Sequence, residues 1–441
     1  MALSMEYFKD VATTRRGFLK TTGALAATSS LALPQGVHAA ENDETIRVGL
    51  VGCGGRGCGA AINCMRADKN VRLVALADLF PDKLDRALKA FQTSRRVAAN
   101  RHQVQIDKNH MFHGFDAYQK LIDSDVDVVL LCSVPQFRPE HLAAAIKAGK
   151  HVFCEKPVAV DAPGVRSVLE SCKKAKEKKL AVVSGLCYRY DPVVLAVMEK
   201  IHNGEIGDIK EIQETYVTGL VGRPFPRKQG MSELEYQIRN WFYFSWLSGD
   251  HNVEQHIHSL DKAIWALGDV DPVRAWGMGA RVSRKLGNIY DQHAVVYEFP
   301  GGIRVHSYCR QQPNCYTDIN DYIVGTTGTA NAIASNCRID FTDGRKRWRY
   351  RGNKPSMYDA EHVAFIKSIK DGKPINNGDY MCRATMTAIL GRMVDYTGKC
   401  IEYKDALASE EQLAPNNLTW NSAPPTKPKK DGSYPYPIPG F

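Results

Sequence analysis

Three groups of reactive side chains stand out in this sequence, far apart along the chain. The first is a glycine loop, Gly52-Cys53-Gly54-Gly55-Arg56-Gly57, directly behind the apolar run Val48-Gly49-Leu50-Val51. In such a loop the first glycine allows a tight turn. The second lets the backbone approach a pyrophosphate, and the third lets a helix pack against the strand. Backbone N–H groups at the start of that helix then meet the phosphate charge. Asp78, 21 residues beyond Gly57, ends the next apolar run. Its carboxylate would bond ribose hydroxyls and repel a 2′-phosphate. The pattern predicts a dinucleotide site that prefers NAD to NADP, with Arg56 either on phosphate or in solvent.

The second group is Glu155-Lys156-Pro157, behind Gly149-Lys150-His151-Val152-Phe153-Cys154. A lysine held ahead of a proline at the carboxyl end of a strand points into the crevice where a cofactor would lie. The third group is the stretch Ser248-Gly249-Asp250-His251-Asn252-Val253-Glu254-Gln255-His256-Ile257-His258. Val253, Ile257, Leu260, Ile264 and Leu267 recur at helical spacing, so 248–261 reads as one helix with that stripe buried. Glu254 and His258, four apart on an adjacent face, are then free to meet a substrate. His251, Glu254 and His258 also have spacing that permits a metal triad. Packing is the default reading of His251, His256, Tyr236, Arg239, Trp241 and Trp246.

These groups need a scaffold, and residues 46–187 supply alternating elements. Apolar β-branched runs at 46–52, 71–78, 126–134, 151–155 and 180–187 read as buried parallel strands. Helical stretches at 81–91, 140–148 and 163–178 lie between them, with Pro81 at a helix start and Gly149 past a helix end. The alternation predicts an α/β fold: a doubly wound parallel sheet whose ligand lies at the carboxyl ends of its strands. Residues 92–111 lack periodicity. After a helix at 193–202 come longer, alternating strands at 209–218, 273–282, 292–299, 303–309 and 322–325. Gly301-Gly302 is a hairpin signal between two of them. The second domain is therefore α+β, with a large, mainly antiparallel open sheet. The expected division is a leader at 1–40, a dinucleotide-binding domain at 41–187, a substrate and oligomerisation domain at 188–410, and a Pro-rich arm at 411–441.

Taken in order, the glycine loop, Asp78, Gly-Lys-His-Val…Glu-Lys-Pro and the later Glu/His stretch resemble the Gfo/Idh/MocA oxidoreductases, from about residue 46 to the 390s. The resemblance implies hydride transfer between a nicotinamide and a sugar or polyol. It places the family's catalytic Asp/His pair at Glu254 and His258, with a carboxylate one methylene longer here. His258 would be the general base, Lys156 would bond the reacting hydroxyl, and Glu254 would orient His258 or bind a neighbouring hydroxyl. Tyr188 would help line the substrate cleft. Cofactor contacts would come from the whole loop 52–57, Asp78, Glu155 and Lys156. Where the family carries Thr-Pro-Asn and a nearby His, this chain has Ser133-Val134-Pro135-Gln136-Phe137-Arg138. Backbone contacts at Ser133, Val134 and Pro135 are expected to persist, but the side chains over the nicotinamide differ.

Thr14-Arg15-Arg16-Gly17-Phe18-Leu19-Lys20, then an apolar stretch and Val37-His38-Ala39, reads as a twin-arginine signal. It predicts a periplasmic or otherwise exported protein with no integral membrane span. Export after folding implies NAD loaded beforehand, held tightly and recycled in place. A net charge of +10 is spread along the chain, which argues against nucleic acid as a partner. The run Arg345-Lys346-Arg347-Trp348-Arg349-Tyr350-Arg351 reads as a solvated strand edge. Twelve cysteines show no C-x-x-C and no zinc spacing. No metal is expected, and the open sheet predicts a homo-oligomer, dimer or tetramer. Two other functions stay open: a glycoside hydrolase or lyase acting through a transient keto-sugar, and a sugar sensor. Glycosidases that work through transient oxidation characteristically lack the Lys of Glu-Lys-Pro, so Lys156 favours a dehydrogenase.

Overall fold

The computed structural model describes residues 44–441 except 334–336, 416 and 441; the leader expected at 1–40 lies outside the described residues. The first sheet is built from β1 (Ile46–Val51), β2 (Val71–Asp78), β3 (Met111–His113), β4 (Val128–Leu131), β5 (His151–Cys154) and β6 (Val182–Ser184). All its pairings are parallel, in the order β3-β2-β1-β4-β5-β6. Its helices are α1 (Gly55–Ala67), α2 (Pro81–Thr93), α3 (Ala117–Ile122), α4 (Arg138–Lys147) and α5 (Ala162–Glu177). They cover both faces. In β4, Val128 and Leu130 enter one apolar cluster while Val129 and Leu131 enter the other. That division is why the strand reads as a continuous apolar run. Strand order reverses between β1 and β4, and the crevice opens there.

The strand expected at 126–134 is four residues long, because the chain turns at Pro135 to begin α4. The aperiodic stretch 92–111 holds two 3-10 turns, Arg95–Gln103 and Lys108–His110. Gln103 is buried and its amide donates to the carbonyls of Met65, Asp68 and Val71, so a polar side chain supplies the anchor that a hydrophobic stripe would otherwise provide.

Beyond α6 (Pro192–His202) the second sheet begins with β7 (Ile209–Thr218). Four helices follow: α7 (Glu233–Arg239), α8 (Ser245–Ser248), α9 (His251–Glu254) and α10 (Ile257–Ala266). Then come β8 (Arg274–Ala280), β9 (Gln292–Glu298), β10 (Arg304–Gln311), β11 (Asp318–Gly325), β12 (Gly328–Asn331), β13 (Arg338–Phe341) and β14 (Trp348–Arg349). After α11 (Met357–Lys370) and α12 (Gly378–Thr397), β15 (Ile401–Glu402) and α13 (Tyr403–Ala408) complete the elements. The nine strands run β14-β13-β12-β11-β7-β10-β9-β8-β15. All pairs are antiparallel except β7 with β10. Gly301 and Gly302, at φ 80° and 75°, close the hairpin between β9 and β10, a conformation glycine adopts without strain. The basic run ends up on β14, an edge strand.

One face of this sheet is buried through Val295, Tyr297, Val305 and Ile323, in the same cluster as Leu131, Cys154 and Val182 of the first lobe. The opposite face is open: Met278, Ala294 and Tyr308 lie in register across β8, β9 and β10, and Met278 is 75% exposed. The chain also returns to the first lobe. Phe365 and Ile366 of α11 join the cluster beneath α1, and Val182 N donates to Ile375 O.

Candidate active site

The glycine loop has the shape its spacing demands. Gly52 sits at φ +97°, and a Cβ there would lie 2.4 Å from the Cys132 carbonyl carbon. A Cβ at Gly57 would lie 1.9 Å from Gly52 O, whereas Gly54 and Gly55 face open space. Two glycines thus bring strand and helix together, and two leave room for a pyrophosphate at the N-terminus of α1. Asp78 is pre-set: its carboxylate accepts from Cys53 N at 2.7 Å and Phe80 N at 3.0 Å. Burial still pushes its pKa up, against those two bonds. These residues fit a bound dinucleotide.

The loop opens into a cavity of about 480 Å³. Gly52, Gly54, Gly55, Arg56, Gly57, Asp78, Ser133, Val134, Glu155 and Lys156 all face it, and so do Glu254 and His258 from the second lobe. Three expected contacts stand outside its wall. Cys53 is buried, its thiol directed at Ala77 O. Pro135 is buried at the start of its 3-10 turn. Tyr188 stands behind His258, ring edge to ring, with centroids 5.3 Å apart.

Arg56 is half-buried at the cavity wall and is engaged by protein partners. Its guanidinium pairs with Glu155, lies 3.0 Å from Glu361 of α11, and covers the Tyr358 ring at 4.7 Å. Burial disfavours the ionised form of Glu155, but the charges of Arg56 and Lys156 hold its pKa below the ordinary range. Glu361 shifts the opposite way. Burial and the Glu155 charge push it well up, so one carboxylate of this pair keeps its proton more readily.

The helix expected over 248–261 is broken, and the break shapes the site. Asp250 takes φ +89°, α9 stops at Glu254, and α10 starts at Ile257. Gln255 N and His256 N both donate to His251 O, a local widening of the helical turn. Tertiary partners hold it there. Asn252 donates to Ala388 O in α12, Gln311 to Gln255, and His256 meets Ser307 Oγ at 2.5 Å. Val253, Ile257, Leu260 and Ile264 remain buried as the periodicity predicts. The consequence falls on Glu254. Its carbonyl, free of a helical donor, accepts from Lys156 Nζ, which also lies 3.1 Å from its own Oε1. His258 Nδ1 is buried with no hydrogen-bond partner among the described residues, leaving Nε2 as the nitrogen open to the cavity. Burial, then the charges of Lys156, Lys262 and Arg56, hold the His258 pKa well below 6.5. The imidazole is therefore neutral near pH 7, in the form that accepts a proton.

The triad permitted by His251, Glu254 and His258 does not assemble, because the break turns His251 the other way. Its ring lies 4.7 Å from that of His293. Asp250, His251 and His293 are the one cluster among the described residues with ligand atoms close enough for an ion. His293, however, has a carboxylate on each ring nitrogen, Asp250 at 3.0 Å and Asp395 at 2.7 Å. Burial opposes its protonation, but the two carboxylates raise its pKa to about 10. The network reads as an imidazolium between two carboxylates. Because the folded value exceeds the ordinary 6.5, its stabilisation is full below about pH 6.5 and lost as pH rises through about 10. His293→Leu should lower unfolding free energy by about 3–5 kcal/mol at pH 6. The gap to wild type should narrow by pH 10, read by denaturant titration.

Several wall residues carry no signal in the sequence. His141 of α4 meets Ser133 Oγ at 3.1 Å and stacks on Tyr118 at 4.0 Å; burial, aided by Arg138, lowers its pKa to about 3. Ile238, Arg239 and Trp241 also reach the cavity beside Asp78 and Phe80, where packing is the default reading of Arg239 and Trp241. A lone histidine on an amphipathic helix is the only hint, and core packing explains it equally well.

Residues 46–184 match the oxidoreductase family with an NAD-binding Rossmann fold, and 194–331 match the GFO/IDH/MocA C-terminal domain. The inositol 2-dehydrogenase of Serratia proteamaculans is 25% identical over 337 residues, covering 75% of this chain and 87% of that protein. The myo-inositol 2-dehydrogenase of Thermotoga maritima is 28% identical over 343 residues, covering 75% and 90%. Among solved structures, levoglucosan dehydrogenase with NADH and levoglucosan aligns with TM-score 0.64 at 16% identity, over 82% of this chain and 100% of that one. The aldose-aldose oxidoreductase of Caulobacter crescentus complexed with glycerol gives 0.64 at 17%, over 81% and 100%; both likenesses concern the fold. With both domains matched in order around one shared cavity, the chain belongs to the Gfo/Idh/MocA family of NAD-binding oxidoreductases.

Proposed function

We propose that this protein moves hydride between tightly held NAD and a hydroxyl-bearing carbon of a sugar or polyol. One observation carries the reading. Lys156 from the first lobe, and Glu254 and His258 from the second, face the same cavity as the glycine loop and Asp78. Bound NAD supplies the hydride acceptor. The protein's own groups handle the oxygen and its proton. Lys156 donates a hydrogen bond to the reacting hydroxyl and stabilises negative charge as the O–H weakens. Neutral His258 takes that proton through Nε2 while the C–H pair departs as hydride and a carbonyl remains. Glu254 anchors the Lys156 ammonium through two contacts, so the amine is positioned before substrate arrives.

Inositol and levoglucosan dehydrogenases among the similar proteins support a polyhydroxylated substrate. The Arg15-Arg16 leader supports export with NAD already bound, and no described helix is long and apolar enough to cross a membrane. The open face at Met278 and Tyr308 supports pairing with a second copy. The test is to purify the protein and follow the nicotinamide absorbance band while adding sugars, polyols and glycosides. Substrate-dependent reduction of the bound cofactor is expected. Glycoside cleavage with no net change in the band would move the reading to transient oxidation. Silence toward every compound would leave a sensor.

A further inference from the structure

The described residues of the C-terminal arm between 409 and 440 form no helix or strand, yet the arm is not a loose tail. Most of its anchors hold it to the second lobe. The Tyr434 hydroxyl donates to Glu233 at 2.6 Å, and its ring meets Phe244 edge-on at 4.9 Å. Thr426 O accepts from Gln237, and Pro437 O accepts from Tyr290 at 2.8 Å. Leu413 N reaches Asp161 in the first lobe. Between these anchors the arm crosses to the first lobe again at Trp420. That ring lies 4.9 Å from Phe115 and 5.7 Å from Phe80. Both phenylalanines face the cavity next to Asp78, the carboxylate suited to ribose, so this is the adenosine end. The second lobe closes on the same place. Arg239 lies 3.8 Å over the Phe80 ring and pairs with Asp82 at 3.0 Å, and Ile238 and Trp241 complete the wall.

We propose that the C-terminal arm is a clamp on the adenosine end of the NAD site: Trp420, pressed on Phe80 and Phe115, keeps the wall shut and makes cofactor release slow. The proposal rests on the reading that NAD is retained between turnovers, and it assigns that retention to this chain's own arm. A ring 41% exposed contributes little to the core. Ala414, Leu413 and Leu418 of the arm pack in the same cluster as Phe80 and Phe115, but Trp420 makes the arm's two ring contacts with them, and each such pair is worth about 0.5–1.5 kcal/mol. Dissociation of NAD then requires those contacts to break first, because Trp420 lies against both Phe80 and Phe115 and Arg239 covers Phe80.

The test measures cofactor release rather than turnover. Full-length protein, Trp420→Ala, Trp420→Phe and a chain ending at residue 411 are loaded with NADH. Loss of its bound fluorescence is followed after mixing with excess ADP-ribose, and thermal melting establishes that each variant is folded. Trp420→Ala should release NADH about tenfold faster, Trp420→Phe close to the wild-type rate, and the shortened chain faster still. Equal, slow release from wild type, Trp420→Ala and the shortened chain overturns the clamp and leaves the retained-cofactor reading standing. Rapid release from wild type itself overturns both.

Discussion

Replacing Lys156 with methionine should lower kcat/KM for the sugar or polyol by about a thousandfold, most of it in kcat. Removing a positioned donor to developing oxyanion charge typically costs about 10²–10³ in rate. Here the amine is held between the carboxylate and the freed carbonyl of Glu254, so its position is fixed before substrate arrives. Lys156→Arg should not restore activity. A planar fork presents its hydrogen bonds in a different geometry from a compact ammonium. The check is steady-state kinetics with the NAD content of each preparation measured, so that loss of cofactor is separated from loss of chemistry. A variant holding NAD with wild-type kcat would remove Lys156 from the reaction.

His258→Asn is expected to cost about 10²–10⁴ in kcat/KM, the usual contribution of a positioned general base. The pH profile gives the sharper measurement. In the proposed mechanism the neutral imidazole is the active form, and burial holds its pKa well below 6.5. Wild-type activity should therefore persist below pH 6.5 and fall only as pH drops through the depressed value. In His258→Asn that acid limb should vanish. In Lys156→Met residual activity should show the limb moved upward, toward 6.5, because one of the positive charges opposing protonation is gone. An acid limb unchanged in both variants would assign the proton transfer to another group.

The two chemical groups differ in how they could be recognised along the chain. The glycine loop, Asp78 and Lys156 are legible because each lies at the end of an apolar strand in a fold whose strand ends meet at one crevice. Glu254 and His258 are legible as residues but not as a geometry. Helical periodicity predicts one continuous helix, and the buried stripe is as it predicts. The bonds from Asn252 to Ala388, from Gln311 to Gln255 and between His256 and Ser307 nonetheless break it. Arg56 shows the same limit. Its loop position suggests phosphate or solvent, while its partner Glu361 is 305 residues away.

Residue order alone is enough for the α/β architecture and the dinucleotide cradle, and it singles out the proposed amine and imidazole, because strand alternation, glycine turns and helical stripes arise from contacts within a few residues. Folding across the chain is what joins Lys156 to the carbonyl of Glu254, sets His293 between Asp250 and Asp395, and lays Trp420 on Phe80 and Phe115. Those contacts link residues 43 to about 340 positions apart. Their existence depends on which polar groups are left without local partners once the two sheets close on a common core.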